Sequence, residues 1–117
     1  MQIPNLYIKP SPISGRGVFT SISILSGSTI ELAPVIVLSA VDKETIHRTA
    51  LHDYYFNWGE DGQAAIALGF GGLYNHASDA NADYYMDFEG LTINFFARRD
   101  IAAGEEITID YGDRIWF

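Results

Sequence analysis

Residues 104–112 read Gly-Glu-Glu-Ile-Thr-Ile-Asp-Tyr-Gly, and they carry more information about the architecture than any other segment. Ile107 and Ile109 alternate with polar residues, a pattern that predicts a half-buried strand after a glycine turn. Tyr111 lies at the exit of this strand, where a tyrosine most often packs against the core and leaves its hydroxyl in water. Taken alone, the segment predicts only a strand that ends in a turn.

The start of this segment repeats a spacing that occurs earlier in the chain. In both copies the order is a strand, an apolar corner, a glycine turn and a second strand, and the glycines suit a backbone with positive φ. The repeated positions are Phe19, Ile24, Gly27 and Ile30 in the first copy and Phe96, Ile101, Gly104 and Ile107 in the second. We therefore expect two similar β-corners packed in one small core.

Strand patterns outnumber helix patterns along the rest of the chain. The segment 29–38 is rich in β-branched residues but contains Pro34, which predicts an edge strand or two strands separated by a bulge. Segments 83–88 and 91–98 flank Glu89-Gly90, a two-residue spacing that predicts a hairpin. Further short strands are predicted at 6–9, 18–20 and 64–68.

A single segment predicts a real helix. Asp42 can cap its N-terminus, and apolar residues, among them Ile46 and Tyr54, recur at helical spacing. Gly59 ends this region. The chain is thus predicted to be mainly β, with one or two short helices.

The composition is that of one folded domain spanning 1–117. Of the 117 residues, 48% are hydrophobic and 14% aromatic, which is enough to bury a core. The absence of cysteine excludes a disulfide framework, a thiolate zinc cluster and a cysteine nucleophile. No apolar run approaches the roughly 18–20 residues of a membrane span, and the N-terminus lacks a signal segment. We expect a soluble, intracellular protein without a membrane partner, in the cytoplasm or, for a viral or eukaryotic chain, in the nucleus.

The net charge of −8 belongs entirely to the second half of the chain. Residues 1–58 have four Lys or Arg and four Asp or Glu, whereas residues 59–117 have three Arg against eleven Asp or Glu. Such a surface repels phosphate backbones, so direct nucleic-acid binding is disfavoured. The excess charge either only keeps the protein soluble or also attracts a cationic partner.

Several segments contain side chains that could act in catalysis or ligand binding, but each segment alone is weak evidence for a functional site. Residues 15–17 form a turn-like glycine pair, and the glycines of 69–72 fit neither a dinucleotide fingerprint nor a phosphate loop. Segment 73–81 gathers Asn, His, Ser and Asp without a nucleophile elbow, so an Asx-rich loop is the simpler interpretation. His47 and His52 miss the i, i+4 spacing of a helical metal site, and no metal site is predicted.

Taken together and in order, three segments resemble the motifs of the SET-domain protein-lysine methyltransferases. Residues 15–19 (GRGVF) are similar to the family's opening Gly-x-Gly-Val/Leu-Phe/Tyr, and 74–81 (YNHASDAN) to its Asn-His-Ser…Pro-Asn signature. Residues 104–112 are very close to Gly-Glu-Glu-Leu-Thr/Ile-x-x-Tyr-Gly. The motifs span nearly the whole chain, whose size is similar to that of the minimal SET proteins of large DNA viruses and bacteria. Residues 53–56, interpreted as helical, also resemble a segment of the viral form.

The resemblance implies a SET fold, a β-clip-like arrangement of small mixed β-sheets with a C-terminal pseudoknot. In that fold the C-terminal segment threads under a preceding loop, which patterning alone would not suggest because true knots are rare. Asn75 and His76 would then lie next to Tyr111, although they are far apart in sequence.

The resemblance also implies methyl transfer from S-adenosylmethionine to a lysine of a basic protein or peptide, such as a histone tail. Tyr111 is implied as the catalytic residue that orients the amine and the methyl group. Tyr54 and, more weakly, Phe70 are implied as walls of the lysine channel. Trp116 either stacks on the adenine or covers the core as a terminal aromatic. The cofactor contacts implied are Gly15, Arg16, Gly17, Asn75, His76, Tyr111 and Trp116.

The chain departs from the family pattern in two respects. Ala77 and Ala80 stand where serine and proline are common, which changes the rigidity of that loop. No cysteine-rich zinc-binding tail follows, so either residues 114–117 or a second subunit closes the lysine channel, and we expect a homodimer. Two other hypotheses stay open. One is a SET-like module that binds basic peptides without catalysis, and the other is an unrelated acidic β-sandwich.

Overall fold

The computed structural model describes residues 5–112. Trp116 and segment 114–117 lie outside the described residues, and so do the roles predicted for them. In chain order the elements are β1 (Leu6–Pro10), β2 (Arg16–Thr20), β3 (Thr29–Leu38), α1 (Ala40–His47), a 3₁₀ helix (Ala50–Asp53), β4 (Tyr55–Trp58), β5 (Gln63–Ala67), β6 (Asn75–His76), β7 (Ala82–Asp87), β8 (Thr92–Ala97) and β9 (Glu106–Ile109).

The strands form two sheets, which confirms the mainly β prediction. One sheet has the order β1-β2-β9-β6 and the other β4-β5-β3-β8-β7. The first sheet is mixed, because β6 runs parallel to β9 while β1, β2 and β9 pair antiparallel. None of the described helices is long and apolar enough to cross a membrane.

The two predicted β-corners are confirmed, and they pack directly against each other. Ile24 and Ile101, which occupy equivalent positions, exchange two backbone hydrogen bonds of 2.8 Å. The turn glycines Gly27 and Gly104 have φ of +85° and +88°, a conformation that is unfavourable for residues other than glycine. The amide of Gly104 donates to Thr20 O at 2.7 Å, and that of Gly27 makes the equivalent bond to Ala97 O. The halves of the chain therefore meet through a pseudo-twofold pair of turns.

β3 is one ten-residue strand in the middle of its sheet, so the prediction of an edge strand is wrong. Its first part pairs with β8 as far as Pro34, and residues 35–38 pair with β5 on the other side. Because Pro34 lies where the partner changes, no ladder hydrogen bond requires its missing N–H. The bulge that was one of the alternatives does occur, between Thr29 and Glu31 rather than at the proline.

The helix is shorter than predicted and has a different cap. α1 ends at His47, and the side chain that caps it is Ser39, whose Oγ accepts a hydrogen bond from the amide of Asp42 at 3.1 Å. Serine at this position satisfies an amide that has no partner within the helix. Asp42 therefore lies in the first turn and is not the cap.

The helical interpretation of residues 53–56 holds only for Asp53, the last residue of the 3₁₀ helix, because Tyr55 already belongs to β4. This strand pairs antiparallel with β5, and Phe56 and Trp58 are buried on the same face as in a strand. Their burial against Tyr84, Phe95 and their neighbours outweighs the local helical spacing.

The predicted hairpin of β7 and β8 is confirmed, but its loop has a different length. The last pair is Asp87 with Thr92, so residues 88–91 form the loop instead of Glu89-Gly90 alone. Asp87 Oδ1 accepts a hydrogen bond from the amide of Gly90 at 2.9 Å, and Leu91 adopts a φ of +55°.

β9 passes beside the loop that follows β6, the crossing expected of the pseudoknot. Both polar atoms of the Asn81 side-chain amide form hydrogen bonds with the backbone of β9. Its Nδ2 donates to Glu106 O at 2.8 Å, and its Oδ1 accepts from the amide of Thr108 at 2.9 Å. The amide of Ala77 donates to Ile109 O at 3.0 Å. The two-residue strand β6, at Asn75–His76, was not predicted as a strand.

The corner turns yield a prediction about stability. Gly104→Ala introduces a side chain at a φ of +88°, where no atom lies within 4 Å of the new Cβ, so the cost is backbone strain alone. We expect a loss of about 1–2 kcal/mol in the free energy of unfolding, measured by urea denaturation. The matched variant Gly104→Asn should lose less, because asparagine tolerates positive φ better. Equal stability of Gly104→Ala and the unmodified protein would contradict this account of the corner.

Candidate functional site

A cavity of about 550 Å³ lies where the β1–β2 loop, β6 and the end of β9 come together. Of the predicted site residues, Gly17 and Phe70 are not among those that line it, and Phe70 packs against the hydrophobic core. The walls of the cavity include Leu73, Gly72 and Asp53 as well as residues singled out from the sequence. The predicted site residues that line this cavity are Gly15, Arg16, Tyr54, Asn75, His76 and Tyr111.

Tyr111 is held at both its backbone and its hydroxyl. The hydroxyl donates a hydrogen bond to the carbonyl oxygen of Tyr74 at 2.5 Å. The backbone amide donates to His76 Nδ1 at 2.9 Å, and the two rings lie 5.1 Å apart. Since Nδ1 of His76 accepts this bond, the proton of the neutral imidazole is on Nε2. These contacts fix the phenol at the edge of the cavity.

Asn75 fastens the β1–β2 loop to the rest of the site. Its Nδ2 donates to the carbonyl oxygens of Ser14 and Arg16 at 3.1 and 3.2 Å, and to Glu106 Oε2 at 2.7 Å. The loop that carries Gly15 is therefore positioned by a side chain from β6. Gly15 has a φ of +47°, a conformation open to glycine without strain.

Glu106 is a site residue that the sequence reasoning missed. Besides the bond from Asn75, its carboxylate accepts a hydrogen bond from Ser11 Oγ at 2.7 Å. A Cβ at Gly17 would collide with this carboxylate, so the glycine leaves room for the Glu106 side chain in its present position. The available signal was a carboxylate at the start of a half-buried strand, next to a turn motif.

A buried carboxylate lies behind the cavity wall. Glu31 is 3% exposed, and its two oxygens accept hydrogen bonds from the Tyr74 hydroxyl at 2.6 Å and from the amide of Phe70 at 2.9 Å. The bulge in β3 sets this side chain opposite the buried Phe95. The local sequence, an apolar strand with a single glutamate, did not reveal the pairing with Tyr74.

Burial dominates the ionisation of this pair. Desolvation raises the pKa of Glu31 above its ordinary 4.5, and the hydrogen bonds from Tyr74 and Phe70 offset part of that rise. Desolvation, followed by the nearby Glu31 carboxylate, raises the pKa of Tyr74 well above 10.0. The Tyr74 hydroxyl therefore keeps its proton and remains the donor.

The charged groups of the cavity are few and of both signs. Arg16 and Asp53 line it, and Asp53 Oδ1 lies 3.0 Å from Nε2 of His52. Within residues 5–112, no group of three or more His, Asp or Glu side chains is arranged to hold a metal ion. This arrangement can bind and orient a polar ligand through backbone groups, Asn75, His76 and Tyr111.

Comparisons with known sequences give matches over nearly the whole chain. Residues 15–112 match the family model described as the SET domain. The chain is 34% identical over 113 residues to a Schizosaccharomyces pombe protein named "Histone-lysine N-methyltransferase, H3 lysine-37 specific". That match covers 96% of this chain and 76% of the yeast protein.

Solved structures give the same result at the level of the fold. A Plasmodium falciparum protein, solved as a candidate histone methyltransferase, superposes with a TM-score of 0.78 at 29% identity. The match covers 97% of this chain and 96% of that one. One chain of the apo ctPRC2 complex gives a TM-score of 0.81 at 23% identity, over 95% of this chain and 15% of that chain, and it indicates the fold alone.

The raised pKa of Glu31 yields a prediction with a definite sign. Between 4.5 and the raised value, the folded protein holds this proton while the unfolded chain has lost it, so this group's contribution to stability falls as the pH rises. Glu31→Gln has no such proton. Its free energy of unfolding relative to the unmodified protein should therefore increase with pH through that window and level off above it. Urea denaturation at a series of pH values measures this difference, and a difference independent of pH would contradict the prediction.

Proposed function

This chain belongs to the SET-domain family, and we propose that it transfers a methyl group from S-adenosylmethionine to a lysine of a basic protein or peptide. It is a protein-lysine methyltransferase by its family and by its 34% identity to a histone-lysine methyltransferase. The proposed cofactor and substrate are supported above all by the Tyr111 hydroxyl, which is held on the Tyr74 carbonyl at 2.5 Å beside the cavity. The comparisons favour the enzyme over a module without catalysis, because this relative bears the name of an enzyme.

The residues of the cavity fit S-adenosylmethionine. About 550 Å³ is within the range of small-molecule sites. No atom lies within 4 Å of the place where a Cβ on Gly15 would stand, so this part of the wall is free for a ligand to approach the backbone. Arg16 and Asp53 provide both charges, which suits a ligand with a carboxylate, an ammonium and a sulfonium group. The backbone at 15–16 together with Asn75 and His76 would hold it.

When bound, S-adenosylmethionine supplies a methyl group activated by its positively charged sulfur. The residues of this chain then have to bring a lysine amine into line and favour its neutral form. A free lysine has a pKa of about 10.4, and an apolar, aromatic environment lowers it. Ile13, Tyr54 and Leu73 are the largely apolar side chains of the cavity that would provide this environment. Alignment of the two reactants is the larger contribution, because it removes the entropic cost of their encounter.

Tyr111 has the role of orienting the amine in this proposal. Its hydroxyl donates its proton to the Tyr74 carbonyl, so the phenol oxygen would act toward the lysine nitrogen as a hydrogen-bond acceptor. His76 holds the backbone of Tyr111 at 2.9 Å and so maintains the direction of the phenol.

Tyr111→Phe tests this role. We expect the variant to fold and to bind S-adenosylmethionine in calorimetry, but to lose about a hundredfold or more in kcat, because one preorganised polar contact to the reacting atoms is gone. Transfer of tritiated methyl groups to a mixture of basic peptides measures the activity. Tyr85→Phe, which removes an equivalent hydroxyl from a ring 55% exposed on β7, is the matched control and should retain full activity. Full activity of Tyr111→Phe would refute the assigned role, and the absence of cofactor heat with the unmodified protein would favour a binding module.

The substrate class follows from the charge of the second half. Eleven carboxylates against three arginines in residues 59–117 attract a cationic peptide. We therefore expect kcat/KM for a lysine-rich peptide to fall severalfold as the ionic strength rises from about 0.01 M to about 0.15 M, since the screening length shortens from roughly 30 Å to roughly 8 Å. A single-lysine peptide without further cations is the control and should show a weaker dependence. Equal salt dependence for both peptides would remove the electrostatic argument.

Three predictions from the sequence stand as proposals about this enzyme. The SET domain spanning 1–117 is proposed as its single folded unit, it is proposed to form a homodimer, and it is proposed not to bind nucleic acid directly. The acidic second half supports the last of these.

A further inference from the structure

The function proposed above makes no use of Glu31, yet this side chain has an unusual environment. Among residues 5–112 it is the buried acidic residue, and no Lys, Arg or His lies within ion-pair distance of it. Removing a carboxylate from water without a cation is unfavourable, so its two hydrogen bonds must compensate for the lost hydration. An apolar residue at this position would avoid the problem, and the use of a glutamate therefore calls for an explanation.

The two donors to Glu31 mark the ends of one short segment. Phe70 is the first residue of 70–74 and donates its backbone amide, whereas Tyr74 is the last and donates its hydroxyl. Between them, Gly72 and Leu73 line the cavity. One carboxylate thus holds the beginning and the end of a piece of the cavity wall.

The same segment provides the acceptor for Tyr111. The carbonyl of Tyr74 receives the Tyr111 hydroxyl at 2.5 Å, and the Tyr74 ring is 1% exposed and packs 4.8 Å from Phe95. Because the Tyr74 side chain is fixed at its ring and at its hydroxyl, its backbone has little freedom to rotate. A displacement of this carbonyl would move the Tyr111 oxygen with it.

We propose that Glu31 is a positioning residue for methyl transfer, which acts through Tyr74 to fix the direction of the Tyr111 hydroxyl. This inference rests on the proposed function. Neither Glu31 nor Tyr74 is among the residues that line the cavity. Both would therefore act on the reacting atoms only indirectly, through Tyr111. Misplacement of a reactive group by a fraction of an ångström reduces the rate more than it reduces binding.

The test is a double-mutant cycle between Tyr74→Phe and Tyr111→Phe. Tyr74→Phe keeps the buried ring and removes only the hydroxyl that Glu31 holds. We expect kcat to fall about tenfold or more, with KM for the peptide and Kd for S-adenosylmethionine within about twofold of the unmodified protein. In the Tyr111→Phe background the same change should have little further effect on kcat, because the hydroxyl to be positioned is already absent.

Two further variants separate positioning from a general loss of stability. Tyr55→Phe removes the hydroxyl of another buried tyrosine, 3% exposed, which bonds to His47 and does not line this cavity. It should leave kcat unchanged. Glu31→Gln keeps the shape of the side chain but replaces one of its two acceptor oxygens with an NH₂ donor, so it cannot accept from both the Phe70 amide and the Tyr74 hydroxyl and should lower kcat as Tyr74→Phe does.

An NMR measurement that does not depend on enzymatic activity completes the test. In cofactor-free protein labelled with ¹³C at tyrosine Cζ, the Tyr111 resonance, identified by its loss in Tyr111→Phe, should shift in Tyr74→Phe and stay in place in Tyr55→Phe. An unmoved Tyr111 resonance, an unchanged kcat of Tyr74→Phe, or an equal loss in both backgrounds would overturn the inference alone. No methyl transfer by the unmodified protein to any basic peptide would overturn the proposed function, and the inference with it.

Discussion

The amide group of Asn81 makes the contact on which the rest of the molecule depends. This side chain is 3% exposed, and it satisfies a carbonyl and an amide of β9, those of Glu106 and Thr108. Buried backbone groups that lose such partners carry a large desolvation penalty, so the bonds specify where β9 must lie. With β9 in place, β6 pairs with it in parallel, and Asn75 and His76 come next to the segment that ends in Tyr111.

The two β-corners explain how segment 70–81 is held near its start and at its end. Glu31 and Thr108 follow the equivalent isoleucines of the two corners, and both are buried polar residues. Glu31 bonds to Phe70 and Tyr74, near the start of segment 70–81, while Thr108 bonds to Asn81 at its end. An apolar core alone would tolerate several arrangements of this segment, whereas these directional bonds select one. In β3 a bulge lies between Thr29 and Glu31, directly before this glutamate.

The parts of the fold that the sequence revealed are those determined by local patterns. The hairpin of β7 and β8 and the glycine corners at Gly27 and Gly104 are of this kind, because alternation and turn chemistry act over a few residues. The two short helices, α1 and the 3₁₀ helix Ala50–Asp53, agree with the prediction of one or two, but a single helix reaching Tyr54 was wrong, since burial of Phe56 in β4 outweighs helical spacing. β6 has two residues, too few for any period to be visible.

The candidate site was predictable only through the resemblance of three motifs. Residues such as Gly15 and Tyr111 could be named from those motifs, but the contacts that hold them join distant parts of the chain. The bonds from Asn75 to Glu106 and from Tyr74 to Glu31 connect residues 31 and 43 positions apart, and no local pattern encodes such pairs. Phe70 shows the opposite case, in which an aromatic residue beside the motif packs in the core instead of lining the cavity.

Methylation of lysine by this protein with S-adenosylmethionine leaves a product that can be identified atom by atom. The protein would be incubated with S-adenosylmethionine carrying a deuterated methyl group and with a mixture of basic, lysine-containing and arginine-containing peptides. Fragmentation mass spectrometry would then locate the label. We expect deuterated methyl groups on lysine Nζ. Label confined to arginine, or no labelled peptide from protein that binds the cofactor, would refute the assignment as a lysine methyltransferase.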